Sequence, residues 1–481
     1  MISKFVREQR RYTQQELCEI LECTESEAII YIRKLKEYGV LKAVKASEVQ
    51  KDLSDLQDED IEIADVEVGE NEYMYIFTFV GIIVLDGRVL KCYPKYLLRA
   101  TNPTRELQQV IKVLEKYNTK EQIVRMFNDS NENHAFNLLA VLLFLLQDYY
   151  ENGVYSNTED IIESNGSGEI LWDKTINETF TLLSNNRPYY TELQTKRRVN
   201  DDFDYFKRLH ECILTMASEE LQEADLLKLF EILEVDLTDE ELDDFGDKEY
   251  ILYRIEKELS TQFNTRKQLI LKTMYAYIDH SGNLFDTDCL SIFGTNSFNL
   301  VWEGVCADVM DNQLERPLGS LKLPVPLKSE YDCKQKLKEL IEKPRWTATG
   351  KTANDTLIPD MVSIAEIDQK CDFIIFDAKY YNARLEKDNP PKGQPGVESV
   401  IKQYLYQLAF QKFIKDHGFS KVQNYFLMPT EDDYVVNKGE VFLEMLGNLG
   451  LENIKVRLLP AKLIYEYYLS GRKMNMVDLN V

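Results

Sequence analysis

The chain has 481 residues, 44% hydrophobic and 11% aromatic, which suits several packed domains and excludes a disordered protein. Its net charge of -25 would argue against a nucleic-acid partner, but the excess is local: residues 46–73 carry 11 acids against one base, residues 219–249 carry 14 against two, and the rest is near neutral. The eight cysteines form no C-x-x-C pair and the four histidines stand apart, so no zinc motif is present and reduced thiols of a cytoplasmic protein are expected.

The opening "MISKFVREQRRYT" lacks the apolar core of a signal peptide. In residues 12–45, Thr13 with Glu16 and Thr24 with Glu27 each fit the S/T-x-x-E box that starts a helix. Leu17, Ile20 and Leu21 mark one helix face, Ala28, Ile32 and Leu35 the next, and Gly39 ends the second. Two short helices followed by a turn towards a strand predict a winged helix-turn-helix. Its second helix offers Arg33, Lys34 and Lys36 to DNA. Docking of a protein is the equal alternative, since the acidic stretch that follows would repel phosphate.

Residues 46–73 read as a solvated acidic linker or wing. Residues 72–97 are rich in β-branched and aromatic residues, and Asp86-Gly87 signals a hairpin turn between two strands. Residues 105–290 are expected to be mostly helical. They include "FNLLAVLLFLL" at 136–146, too short to span a bilayer and best read as a buried helix. Breaks fall at "ESNGSGEILWDKTIN" and at "NNRPYYTELQTKRR", which ends in a basic cluster.

Past residue 291 the texture becomes α/β. A mostly apolar helix, "SFNLVWEGVCADVM", carries Glu303. The strand "LIPDMVSI" contains Asp360, the gap "AEIDQK" follows, and the strand "CDFIIFDAKYY" carries Asp377 and Lys379. Alternation along a strand points Asp377 and Lys379 the same way, and a hairpin would lay Asp360 beside Asp377. Two carboxylates at adjacent strand ends suit Mg²⁺, or Mn²⁺ as a similar hard cation, and the lysine can hold the water that attacks phosphorus. That is a phosphodiester-hydrolysis site. Acid–lysine pairs at strand ends also occur as plain salt bridges, and Glu303 can equally be an ordinary helix residue. Gln403 and Gln407, four apart on the next helix, are either further site residues or helix-surface polarity.

The set Pro359-Asp360, then Asp377-Ala378-Lys379, resembles the PD-(D/E)xK nuclease superfamily, with Asp in place of the commoner Glu. That resemblance implies Asp360, Asp377 and Glu303 as metal ligands, Lys379 as the catalytic lysine, and a glutamine such as Gln403 or Gln407 from the following helix. Over most of the chain, "FVGIIVLDGRVLKCYPKYL", "NGSGEILWDKTIN", "RPYYTEL", "WEGVC" and "IPDMV…FIIFDAKYY" resemble the LlaJI restriction endonucleases, a family similar to the nuclease subunit of McrBC systems. The resemblance implies a restriction nuclease that cuts double-stranded DNA and works with a separate AAA+ NTPase motor of McrB type. No G-x-x-x-x-G-K-[ST] loop is present, so the motor is not this chain.

The expected architecture is multidomain α+β: a winged helix-turn-helix at 1–47, an acidic linker and β-unit at 48–104, a mostly helical middle domain at 105–290, and an α/β restriction-endonuclease-like core of PD-(D/E)xK type at 291–481. One active site per chain and two DNA strands suggest a homodimer on DNA, with no membrane involved. Two other functions fit the same motifs: a repair or recombination nuclease for branched or single-stranded DNA, and an inactive subunit that binds DNA or stimulates a motor.

Overall fold

The computed structural model describes residues 2–45, 73–117, 137–156, 158–185, 187–200, 204–280, 290–367, 369–383, 385 and 393–480. The acidic linker expected from residue 48 lies outside them up to residue 72, as does the 389–392 part of the Pro/Gly-rich loop. The chain forms two compact units, Met1–Glu132 with Ile292–Val481, and Asn133–Ser291. Helix 104–117 thus belongs with the terminal unit.

In the first unit, both expected capping boxes form. Glu16 N donates to Thr13 Oγ1 at 3.1 Å while Thr13 N donates to Glu16 Oε2 at 2.9 Å, opening helix Gln14–Leu21. Thr24 and Glu27 open helix Glu25–Glu37 in the same way. Leu17, Leu21, Ala28, Ile32 and Leu35 are all buried. A three-stranded antiparallel sheet accompanies the helices, in the order Arg11–Tyr12, Tyr73–Phe77, Leu41–Lys45.

A second sheet runs Ile2–Arg7, Arg88–Tyr93, Val80–Leu85, Leu290–Thr295. Its central hairpin turns at Asp86 (φ 46°) and Gly87 (φ 68°), the two left-handed positions that a two-residue turn requires. Gly81 and Gly294 face each other across the last two strands. A Cβ on Gly81 would lie 2.1 Å from Phe293 O, and one on Gly294 2.2 Å from Val80 O.

A third sheet has five strands in the order Met361–Ile367, Lys370–Ala378, Lys421–Thr430, Ile454–Pro460, Val436–Val441. The first pair is antiparallel and the next two pairings are parallel. Part of "AEIDQK", expected as a gap, is strand, because Ala365 and Glu366 still pair with Asp372 and Cys371. Helix Val397–His417 connects the second and third strands and covers one face, where Tyr406, Phe410 and Phe413 pack on Val362, Ile364, Phe373 and Ile375. Helices Thr104–Tyr117, Phe298–Val309 and Ala461–Ser470 pack together on the other face. There the buried Trp302 donates to Leu427 O at 3.4 Å and packs on Tyr465. The outer edge of Met361–Ile367 is covered by residues 312–314: Gln313 N donates to Val362 O at 2.8 Å and Val362 N to Asn312 Oδ1 at 3.1 Å.

The second unit contains helices Leu138–Asn152, Tyr205–Glu223, Lys248–Thr261 and Thr265–Asp279. Within the run "FNLLAVLLFLL", Leu138, Leu139, Val141, Leu142, Leu143, Leu145 and Leu146 are buried in helix Leu138–Asn152, and among the described residues no helix is long and apolar enough to cross a membrane. The breaks expected in the mostly helical middle are more extensive than read, because the described residues of 158–200 hold five strands. Thr158–Ser164, Gln194–Asn200 and Glu169–Ile170 form one sheet, and Thr181–Ser184 pairs with Arg187–Tyr190. These strands are short and polar, so no apolar alternation announced them. Asp148 anchors its helix through Arg266, whose Nε and Nη2 reach the carboxylate at 3.0 and 2.6 Å.

The glycine pair sets a stability test. Gly81→Ala or Gly294→Ala should lower unfolding free energy by roughly 2–4 kcal/mol, since strand backbones must separate to admit a methyl group. Denaturant titration of the full chain checks this, with Gly87→Ala, whose Cβ meets nothing within 4 Å, as the milder comparison.

Candidate active site

The pairing of Met361 with Phe376 sets the site, since one residue further it places Asp360 opposite Asp377. Val362, Ile364, Phe373 and Ile375 all face helix Val397–His417, and by alternation Asp360 and Asp377 point to that side too. The two strands are joined at this end, where Ala378 N donates to Asp360 Oδ2 at 2.9 Å. Lys379 continues the ladder, with its N donating to Leu427 O at 2.8 Å, and its Nζ lies 2.8 Å from Asp377 Oδ1. Asp360, Asp377 and Lys379, expected together, are together.

Asp377 is 3% exposed, and the charges around it follow from that burial. Burial, then the Asp360 carboxylate beside it, push Asp377 well above the ordinary carboxylate range, with Lys379 opposing. Burial pulls the Lys379 ammonium down, but Asp377 and then Asp360 outweigh it and hold Lys379 above its usual value. A proton held on Asp377 lets the ammonium of Lys379 balance the charge that remains in such a site.

Glu303 approaches from helix Phe298–Val309. Burial first, then Asp360, push its carboxyl up to about 7, with Lys379 opposing. Glu303 stands within electrostatic reach of Asp360 and Lys379, and among the described residues no group of three or more acid, Cys or His side chains is placed to hold a metal ion.

The glutamines are buried rather than on the helix surface. Gln403 Nε2 donates to Ile375 O at 3.2 Å, which ties the helix to the strand two residues before Asp377. Gln407 Oε1 accepts from Asn424 Nδ2 and Glu452 N, each at 3.0 Å. Among the described residues, neither is hydrogen-bonded to the carboxylates. Tyr406, which the sequence reading missed, does feel them: burial, then Asp377 and Asp360, push its hydroxyl up to about 12. Its place one turn beyond Gln403 was the available signal. Asn312, also missed, donates to Asp360 O at 3.3 Å. Arg33, Lys34 and Lys36 lie on helix Glu25–Glu37, Arg33 exposed and the two lysines half-buried.

Residues 79–461 match the sequence profile of the LlaJI restriction endonucleases. The chain belongs to the LlaJI restriction endonuclease family. Among curated relatives, it is 27% identical over 415 residues to the type II restriction enzyme BsuMI component YdjA of Bacillus subtilis (strain 168), covering 84% of this chain and 83% of that protein. Among solved structures, distant likenesses include McrB–McrC complexes of Thermococcus gammatolerans. One comes from the half-complex of the tetradecameric assembly of McrB AAA+ hexamers with bound McrC, at 12% identity and a TM-score of 0.37, covering 98% of this chain and 99% of that chain. The other, from the McrBC complex, has 13% identity and a TM-score of 0.25, covering 63% and 84%.

The raised carboxyls give this LlaJI-family chain a pH signature. A folded state that keeps a proton which the unfolded chain releases loses stability as pH rises through the folded pKa. For Glu303 that loss runs from the ordinary value of 4.5 up to about 7. Glu303→Gln and Asp377→Asn, measured by thermal melts without divalent cations, should match wild type near pH 5 and exceed it by roughly 2–4 °C at pH 8. A gain that shrinks with rising pH would contradict the buried, proton-holding cluster.

Proposed function

We propose that this chain is the DNA-cutting subunit of a prokaryotic restriction system, hydrolysing phosphodiester bonds of double-stranded DNA. The observation that carries the reading is the half-buried Asp360 beside the buried Asp377, with Lys379 Nζ 2.8 Å from Asp377, at a strand end of a LlaJI-family chain. The site fits a PD-(D/E)xK nuclease. Asp360 and Asp377 would hold Mg²⁺, or Mn²⁺ in its place: two adjacent hard-oxygen donors suit a cation whose shell is completed by water and phosphate. Such a cation supplies polarisation of the phosphoryl group and neutralises developing charge. Lys379 donates to the attacking water and holds it in place, and Glu303 assists as a further carboxylate.

The two N-terminal helices with their three-stranded sheet support a winged-helix reading, with Arg33, Lys34 and Lys36 towards DNA. The Bacillus relative is named as a component of a restriction enzyme, which supports action with other subunits. A cytoplasmic AAA+ NTPase of McrB type is the proposed motor.

Two strands need two active sites, so a homodimer on DNA completes the reading. Helix Val397–His417 is apolar on both sides, and Val397, Ile401, Leu405 and Leu408 remain 71%, 41%, 43% and 37% exposed. Laid antiparallel about Leu405, the helix would set Ile401 against Leu408, and Glu398 against Lys412, of a second copy.

Wild type with Mg²⁺ should nick or linearise supercoiled plasmid when the neighbouring motor and NTP are supplied. Asp377→Ala should cut at least ~100-fold more slowly, and EDTA should stop cutting. Equal cutting by both proteins would refute the site. In sedimentation with DNA, Leu405→Asp should weaken self-association at least ~10-fold, because the substitution places two carboxylates at the two-fold axis. Unchanged sedimentation would remove the helix from the interface.

A further inference from the structure

Tyr380, directly after Lys379, is buried, and its hydroxyl donates to the Glu8 carboxylate. The same Glu8 Oε2 accepts from Lys95 N at 3.1 Å, and Lys95 N also reaches Tyr380 Oη at 3.3 Å. Lys95 Nζ sits 4.5 Å from the centre of the Tyr380 ring and donates to Gln9 Oε1 at 2.9 Å. Two residues beyond Tyr380, Asn382 Nδ2 donates to Lys95 O at 2.9 Å. The Tyr380 ring also packs on Phe298, the first residue of the helix that carries Glu303, with centroids 5.3 Å apart. Segment 380–382 is therefore held on several sides by the N-terminal β-structure.

Glu8 has a particular place in that structure. Strand Ile2–Arg7 ends at it, and Gln9 then takes a left-handed backbone at φ 55°. Through that turn Gln9 N donates to Phe77 O at 2.8 Å, in the sheet that accompanies the two N-terminal helices. A non-glycine residue keeps such a conformation only where its surroundings over-determine it. The turn thus touches the two-helix region on one side and the residue after the lysine on the other. A buried carboxylate is costly to keep, and an apolar pair of similar shape would dock two sheets as well. Its partner Tyr380 is one residue from Lys379, which gives it something a docking contact lacks.

We propose that Glu8 is a positioning residue: by anchoring Tyr380 it fixes the backbone from which Lys379 projects, and the Glu8–Gln9 turn couples the N-terminal two-helix region to the cutting site. DNA engaged by that region then alters the cutting rate without touching Asp360 or Asp377. The consequence for cutting rests on the nuclease reading above. The positioning itself does not.

The test compares full-length wild type, Glu8→Gln, Tyr380→Phe, the double variant, Arg99→Ala and Asp377→Asn. Each is assayed on plasmid with Mg²⁺ and motor, and separately by amide hydrogen exchange without metal or DNA. Arg99 joins Glu431 and Asp432 within the same unit, and its loss should leave cutting unchanged. Glu8→Gln and Tyr380→Phe should each lower kcat about tenfold at unchanged KM for DNA, with the double variant no slower. Exchange should quicken at residues 379–382 alone. Wild-type kcat and exchange in Glu8→Gln would overturn the proposal, as would a raised KM at unchanged kcat. Should Glu8→Gln lose protection throughout, Tyr380→Phe, which removes one hydroxyl, decides by the same readouts. If wild type does not cut, or Asp377→Asn cuts equally, the nuclease reading fails and the exchange at 379–382 still decides whether Glu8 positions that segment.

Discussion

A single strand register holds the site together. Met361 pairs with Phe376, so Asp360 falls opposite Asp377, and a slip of one residue would send Asp360 to the other face of the sheet. Two carboxylates so close repel each other, and that repulsion is balanced by Lys379 and a retained proton. The apolar residues below them supply the force that keeps the register: Val362, Ile364, Phe373 and Ile375 are locked against Phe410 and Phe413. Exchanging any of these for a polar residue would loosen the pairing that aligns the acids. Core packing and site geometry are here one property.

The features that were legible in the sequence depend on near neighbours. Thr13 and Glu16, Thr24 and Glu27, and Asp86-Gly87 each declare a local hydrogen-bond pattern, and each formed as read. The juxtaposition of Asp360, Asp377 and Lys379 was also legible, because a short hairpin brings the acids together and alternation does the rest. What stayed hidden depends on distant partners. Gln407 looks like any helix glutamine until Asn424 and the 452 backbone are seen to bond it. Glu8 meets Tyr380 across most of the chain, and Gly81 meets Gly294 with no local sign of either contact. The short middle strands escaped because a two-residue alternation needs apolar residues to be visible, and "QTKRRVN" has almost none.

Local rules are broken in the elements around the site. Asp377 and Glu8 are buried acids, and Gln9 is left-handed without being glycine. Each costs stability, and each lies within or beside the elements that hold Lys379. Such departures are expected where geometry is selected over stability. The same elements bring the helix of Glu303 into the arrangement through the contact between Phe298 and Tyr380.

The terminal unit is assembled from both ends of the chain, Met1–Glu132 and Ile292–Val481, with the other unit inserted between. Strand Val80–Leu85 takes one of its two neighbours from Leu290–Thr295, on the far side of that insertion. Ribosomes make proteins from the N-terminus, so the N-terminal sheet must wait, one edge unfilled, while the whole inserted unit is translated. A nascent or prematurely ended chain that stops before residue 360 contains none of Asp360, Asp377 or Lys379. On the proposed nuclease reading, the order of synthesis thus leaves every such fragment without the cutting residues.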